Sequence, residues 1–489
     1  MALNIFKKYP QGFGGLFITQ TCFNFSFYGL KSIFILYIIA QFSLSEREAI
    51  SLFATLMAVC YAASLIGGWI ADNSLGTKST IILGGLFQAA GISFLMAPSN
   101  EFCYIALALI SLGSGFFKPT LSTSVGMLFD NPKDPHKDKA YSTFYIAMNL
   151  GSFAAPLLCG FISKTYGGYY NSLLLIIMTL MGGVYLFYER IHFKQRYDPA
   201  SHKSSLVLNP IFIGTCILVL LFCFYLLFKY HGSFNHLMGA IALGSFIYIG
   251  KIFYQSNRQE KQDILNILFY ILLFTFFCSL FEQAGSSLML FFDKAVDRQI
   301  IGIEFPSSAL LSLGPIFVLI CSPLLVLFSE KILERKTYID GLIKLGIGFL
   351  LTSLSFLILA VSCNQENNLV SPFWVVGSIL IQTIGELWIV PIGFSNISKL
   401  APPRVRSLMM SFWLMAIAYG HYFGGFIAQF SLSEPSASES TLGHYSTFFL
   451  NLALAPCAVG FLLFLFYYIK QSRESLRNKE IPKAVGEKT

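Results

Sequence analysis

A chain of 489 residues that is 55% hydrophobic and only 12% charged is far more apolar than a soluble protein. Its formal charge of +8 does not point to nucleic acid, because the basic residues sit in short loops between apolar blocks. The ten cysteines show no CxxC pairing and fall almost entirely inside apolar runs, which argues against a disulfide framework or a zinc site; neither metal nor cofactor is expected.

In chain order, Lys7 and Lys8 precede a long apolar run without a small-residue cleavage site, so this run is read as a retained first span. Crossing a bilayer takes about 20 residues. Blocks of that size are predicted at 12–40, 48–72, 79–97, 101–129, 141–164 and 172–189, then as a pair at 206–228 and 237–254. A second set follows at 264–292, 307–329, 337–361, 372–400, 404–430 and 445–468. The expected architecture is an all-α polytopic membrane protein of 14 transmembrane helices. A six-helix bundle occupies 1–190, a linker with two additional spans 191–263, a second six-helix bundle 264–470, and a cytoplasmic tail 471–489. The polar, basic stretches 190–205 and 255–263 read as cytoplasmic linkers. With the N-terminus inside, 25 of the 33 Lys and Arg residues fall in cytoplasmic segments and five in outside loops, while Lys31, Lys118 and Lys344 lie within spans. Both termini are therefore expected in the cytoplasm. Two repeated halves are the plan of major facilitator transporters, whose site lies near the midplane.

Charges inside the spans mark the expected site. Lys118 stands in LISLGSGFFKPTLSTSV (109–125), near mid-membrane, where a Lys costs about 3 kcal/mol on insertion scales. Gly113, Gly115 and Pro119 loosen the same helix. Lys31 lies on span 1, whereas Glu282 and Glu386 lie on the first and fourth spans of the second half. Opposite charges from the two halves make a polarised but neutral cavity, suited to a small zwitterion with its carboxylate towards the first half and its amine towards the second. Burial penalises a charged carboxyl, so Glu282 and Glu386 are candidate proton carriers; a static interhelical salt bridge is the other reading. Gln20, Asn24, Tyr28 and Lys31 share one face of span 1, which should meet a wet cavity. Tyr61, Asn149 and Trp413 are further polar or amphipathic residues on spans, read either as substrate contacts or as packing. His421, within the close-approach motif Gly420-x-x-x-Gly424, is expected to make a satisfied interhelical hydrogen bond.

The stretches GGWIADNSLGTKSTI (67–81), GSGFFKP (113–119), FYIAMNLGS (144–152), FEQAGSS (281–287) and GELWIVPIGFSNISKLAP (385–402) resemble the proton-dependent oligopeptide transporter family of the major facilitator superfamily. That resemblance implies import of di- and tripeptides with protons. By the same resemblance Lys118, Asn149, Glu282 and Glu386 match binding or coupling positions, and Tyr28, Lys31, Tyr61 and Trp413 match positions lining the pocket. The sequence departs from the family's Glu-x-x-Glu-Arg-Phe on the first helix, where Gln20, Phe23 and Asn24 replace the charged residues. Losing all three together is coherent, since one removed member of a buried ion cluster strands the others. Gly314-Pro315 likewise replaces the usual Asn-Pro.

The expected function is secondary active transport of short peptides by peptide:proton symport and alternating access in a bacterial inner membrane, by a protein functional as a monomer. The alternative is a carrier of another zwitterionic or anionic metabolite, uncoupled or exchanging. Within substrate, Lys31 and Lys118, with Asn24 and Tyr28, are expected to hold the carboxylate, Glu386 the amine, and Glu282 the coupled proton. A membrane enzyme would want a catalytic His, Asp or Ser cluster at one face, which the distribution of the seven histidines does not provide.

Overall fold

The computed structural model describes residues 9–129, 136–166, 168–191, 210–230, 234–300, 302–334, 341–364, 369–401, 406–432 and 441–485. The apolar blocks fold as helices because a backbone in hydrocarbon must satisfy its own polar groups. In order these are α1 (Phe13–Phe42), α2 (Glu46–Ile70), α3 (Gly76–Leu95), α4 (Asn100–Met127), α5 (His136–Thr165), α6 (Tyr169–Arg190), α7 (Pro210–Lys229) and α8 (Phe234–Tyr254). They continue as α9 (Arg258–Phe281), α10 (Ser287–Ala295), α11 (Leu310–Glu334), α12 (Gly341–Ser362), α13 (Pro372–Leu400), α14 (Arg406–Ala428) and α15 (Thr441–Val485). Among the described residues, twelve helices are long and apolar enough to span a bilayer. The expected linker 190–205 falls outside the described residues apart from Arg190, which ends α6, and Ile191.

Two boundaries differ from expectation for identifiable reasons. The polar stretch 255–263, read as a linker, instead contains the start of α9. A capping box launches it: Asn257 accepts from the Glu260 backbone N–H while the Glu260 carboxylate accepts from that of Asn257. The helix beginning at Thr441 continues to Val485, well beyond the predicted span, so much of the charged tail prolongs α15.

The chain forms two compact units. The larger contains α1–α10, the start of α11 and α14. Its helices approach closely where side chains are smallest. A Cβ on Gly115 would lie 2.5 Å from Ala63 Cβ, and one on Gly67 would lie 2.1 Å from Gly115 O, so α2 and α4 touch backbone to backbone. On the other side of α4, a Cβ on Gly113 would lie 2.6 Å from the Gln88 backbone nitrogen of α3. The buried Gln88 amide donates to Ser26 Oγ at 3.1 Å and accepts from Ser114 Oγ at 3.3 Å, tying α3 to α1 and α4. Around these contacts Phe23 stacks on Phe117 with centroids 4.5 Å apart. Gly115→Leu is expected to cost about 3 kcal/mol through overpacking, measured as a lowered Tm in detergent; an unchanged Tm would show that α2 and α4 can separate.

A short hairpin follows α10, formed by β1 (Gln299–Ile300) and β2 (Ile303–Glu304), with Gly302 turning the chain at φ 75°. Lys164 on α5 clasps it, donating to Glu304 O at 3.0 Å and pairing with the Glu304 carboxylate at 2.6 Å. The Lys164 hydrogen bond, then the Lys164 and Arg298 charges, hold the Glu304 carboxyl below the usual carboxylate range. A depressed carboxyl contributes stability above its unfolded pKa and loses that contribution as pH falls through the folded one. Lys164→Ala should therefore raise the pH at which this carboxyl titrates, a shift readable by NMR of the labelled side chain.

The smaller unit contains the remainder of α11 with α12, α13 and α15. Ser353 Oγ of α12 donates to Ala453 O of α15 at 2.7 Å, and Ser378 Oγ of α13 donates to Ser355 O of α12 at 2.9 Å. A Cβ on Gly385 would lie 2.9 Å from Gly348 O, so α12 and α13 cross tightly beside Glu386.

Candidate functional site

Within the larger unit, α1, α2, α4, the end of α9 and α14 bring ionisable side chains together. The convergence begins with a helix break. After Phe281 the FEQAGSS stretch leaves the α-helix for a 3-10 turn, Glu282–Gly285, before α10 resumes at Ser287. Gln283 anchors the break: its Nε2 donates to Ser279 O at 2.9 Å and to Gly424 O of α14 at 3.0 Å, while its Oε1 accepts from Ser287 Oγ at 2.6 Å. Gly285 has no room for a side chain, since a Cβ there would lie 2.8 Å from Phe53 Cζ and 3.3 Å from Lys31 Cε.

The turn sets Glu282 against two cationic or ionisable partners. Lys31 Nζ, on a residue 8% exposed, donates to Glu282 Oε2 at 2.7 Å. His421 Nδ1 lies 3.2 Å from the same oxygen. The GxxxG motif of α14 makes this approach possible: a Cβ on Gly420 would lie 2.2 Å from Cys278 Cβ, and one on Gly424 would lie 3.0 Å from Ser279 O. The neighbouring Gly425 fits as closely against Ala54 of α2. The expectation of a satisfied hydrogen bond for His421 is corrected. Its contact with Glu282 is not aligned as one, and neither ring nitrogen has a hydrogen-bond partner among the described residues.

Aromatic rings link this trio to Lys118. The His421 ring stacks on Tyr61 with centroids 5.1 Å apart. Lys118 Nζ lies 3.7 Å from the Tyr61 centroid and 4.9 Å from that of Phe27. Among the described residues the half-buried Lys118 has no carboxylate or hydrogen-bond partner, and ring faces provide its neighbouring negative potential. Tyr28 lies beside the cluster, its ring centroid 5.8 Å from Lys31 Nζ.

The polar stripe of α1 divides in two. Gln20 Nε2 donates to Asn24 Oδ1 at 2.9 Å, and Asn24 Nδ2 donates to Met148 O at 2.8 Å and Ser152 Oγ at 3.2 Å. Those bonds fasten α1 to α5, where a Cβ on Gly151 would lie 2.3 Å from Thr21 O. One helical turn and more further along, Tyr28 and Lys31 belong to the charged cluster. Asn149 Nδ2 donates to Tyr145 O of its own helix at 3.0 Å. Trp413, fully buried, stacks on Phe274 with centroids 3.8 Å apart and planes 7° from parallel. Glu386 lies half-buried on α13 of the smaller unit. Most members of the cluster were thus legible in the sequence, but His421 was expected only to make a satisfied interhelical hydrogen bond; its place one residue after Gly420 was the available signal.

Comparison with known proteins gives a consistent picture. The sequence pattern of the POT family matches residues 78–446. Dipeptide and tripeptide permease A of Salmonella typhimurium is 27% identical over 476 residues, covering 95% of this chain and 93% of that protein. The uncharacterized transporter YclF of Bacillus subtilis is 29% identical over 430 residues, covering 84% of this chain and 86% of its own. Among solved structures, a peptide transporter POT in complex with sulfate superposes with a TM-score of 0.82 at 25% identity, over 94% of this chain and 95% of that one. A mutant of a peptide transporter POT in complex with alafosfalin gives the same TM-score, identity and coverage.

Proposed function

Because the chain belongs to the POT family, we propose that it carries di- and tripeptides together with protons across a bacterial inner membrane. Members of this family are transporters and not enzymes, and the chain is an integral multi-pass membrane protein of major facilitator type. In the proposed cycle the two six-helix segments 1–190 and 264–470, joined through the helix pair of 191–263, alternate access to a central site. Both termini and the tail 471–489 lie in the cytoplasm, and a single chain suffices.

The observation that carries this reading is Lys118. An ammonium held at depth over Tyr61 and Phe27, with no carboxylate at ion-pair distance among the described residues, is a ready receptor for a peptide's terminal carboxylate. Lys31 is the second cation, available when it leaves Glu282, and Tyr28, Tyr61, Asn24, Asn149 and Trp413 are assigned to the lining. Glu386 is assigned the peptide's amine, with Glu282 and Glu386 the coupling carboxyls. A zwitterion supplies both complementary charges, which is why short peptides suit this set better than simple anions.

Uptake of labelled dialanine into proteoliposomes tests the reading. An inward proton gradient is expected to drive accumulation about tenfold above the equilibrium level, the ratio that a one-unit pH difference supports for a one-proton symport. Uptake or exchange without any response to the gradient would remove symport while leaving carriage intact; no binding of any di- or tripeptide would remove the substrate class.

A further inference from the structure

His421 is a buried side chain that the assignments above leave without a role. It is 2% exposed, and both of its ring nitrogens lack a hydrogen-bond partner among the described residues. Buried polar groups left in that condition are uncommon and costly, and each one calls for a physical account. The geometry points to His421 as a proton-exchange residue that competes with Lys31 for Glu282. This rests on the symport reading and names the third partner in its gate.

Two side chains converge on one carboxylate oxygen. Glu282 Oε2 is 2.7 Å from Lys31 Nζ and 3.2 Å from His421 Nδ1, so both groups address the same lone-pair region. Lys31 occupies it with an aligned hydrogen bond; His421 is near enough to do so after a small reorientation. With the imidazole neutral, Glu282 and Lys31 form a one-to-one pair. Proton uptake by the imidazole adds a second cation to a single carboxylate in a low-dielectric setting, where like charges cannot both be accommodated. Of the two, Lys31 is freer to leave. Its ammonium ends a flexible four-carbon stem, whereas the His421 ring is stacked on Tyr61 and carried by a backbone locked through Gly420 and Gly424.

The groups facing His421 divide: Glu282 favours a charge on the imidazole, and the Lys31 and Lys118 ammoniums oppose it, so a protonated ring relieves the conflict by displacing the mobile Lys31. The facing groups are Glu282 and Cys278 from the α9 end, Tyr61 from α2, Lys31 from α1 and Lys118 from α4. Glu282 is the single carboxylate among them, so a proton arriving on His421 has one anion to bind. In the resulting state the imidazolium donates to Glu282 Oε2, and Lys31, still protonated, is released to meet a peptide carboxylate beside Lys118. When the imidazolium gives its proton to the opposite aqueous side, Lys31 returns to Glu282 and the peptide loses one of its two cations. One proton enters and one leaves per cycle. The arrangement supplies a titrating group to a first helix that carries Gln20, Phe23 and Asn24 instead of charges.

His421→Gln keeps a polar side chain of similar length but cannot carry a proton. In proteoliposomes, counterflow of labelled dialanine at equal pH on both sides is expected to persist at a reduced level, because Lys118 still meets the carboxylate while Lys31 stays on Glu282. Accumulation driven by an inward proton gradient should fall tenfold or more, and the dependence of uptake on external pH between 5 and 8 should flatten. His421→Asn serves the same test if the Gln variant does not elute as a monodisperse protein. Gradient-driven accumulation and pH profile matching those of the unsubstituted protein would overturn the role of His421 while leaving symport standing. If the unsubstituted protein itself shows counterflow but no gradient response, symport fails and the exchange role fails with it.

Discussion

Replacing Lys118 by Ala is expected to weaken dialanine binding about 100-fold and to abolish measurable uptake at micromolar substrate. A hydrogen bond between an ammonium and a carboxylate contributes about 3 kcal/mol, and each 1.4 kcal/mol or so is tenfold in affinity. The structure makes this a clean test, because Lys118 has no carboxylate partner among the described residues for the substitution to strand. The α4 backbone is held by Gly113 and Gly115 against α3 and α2, independently of the Lys side chain. Folding should accordingly survive, with Tm within a few degrees. Isothermal titration in detergent reads the effect directly, and an unaltered Kd in Lys118→Ala would refute the assignment.

The second large effect is on stability and concerns Lys31. Its side chain and that of Glu282 are only 9% and 12% exposed, so Lys31→Ala leaves a carboxylate almost out of water. Breaking such a pair on one side costs about 3–5 kcal/mol. Removing both partners, in Lys31→Ala with Glu282→Ala, should recover most of that loss, because the burden lies in the uncompensated charge. Thermal unfolding of the two single variants and the double variant gives the coupling, and strictly additive effects would mean that the ion pair contributes nothing beyond its parts. The proximity of His421 Nδ1 predicts an asymmetry: the Lys31 variant should be relatively less destabilised at acidic pH, where the imidazole can replace the missing cation.

Much of the architecture was legible without coordinates because the bilayer imposes one rule. Every apolar stretch of about 20 residues must satisfy its backbone internally, so hydropathy alone located the helices. Lys118 and Lys31 stood out for the same reason, as charges where charges are expensive. Local chemistry was less fully used. The Asn257 and Glu260 capping box was present in the stretch read as a linker, and its reciprocal bonds pull the helix start back to Arg258. The long C-terminal helix was missed because hydropathy reports where a span ends, not where a helix ends.

Residue type and run length alone make the protein helical, membrane-embedded and charged at depth. Which charge meets which was decided only by tertiary structure. Lys31 and Glu282 are 251 positions apart, and no periodicity links them. Their meeting depends on a 3-10 break at Glu282, on Gln283 bonded to Gly424, and on glycines that let α14 close upon α9. The same closure carries His421 to the oxygen that Lys31 holds, and the unsatisfied imidazole it creates belongs to the packing of several helices at once.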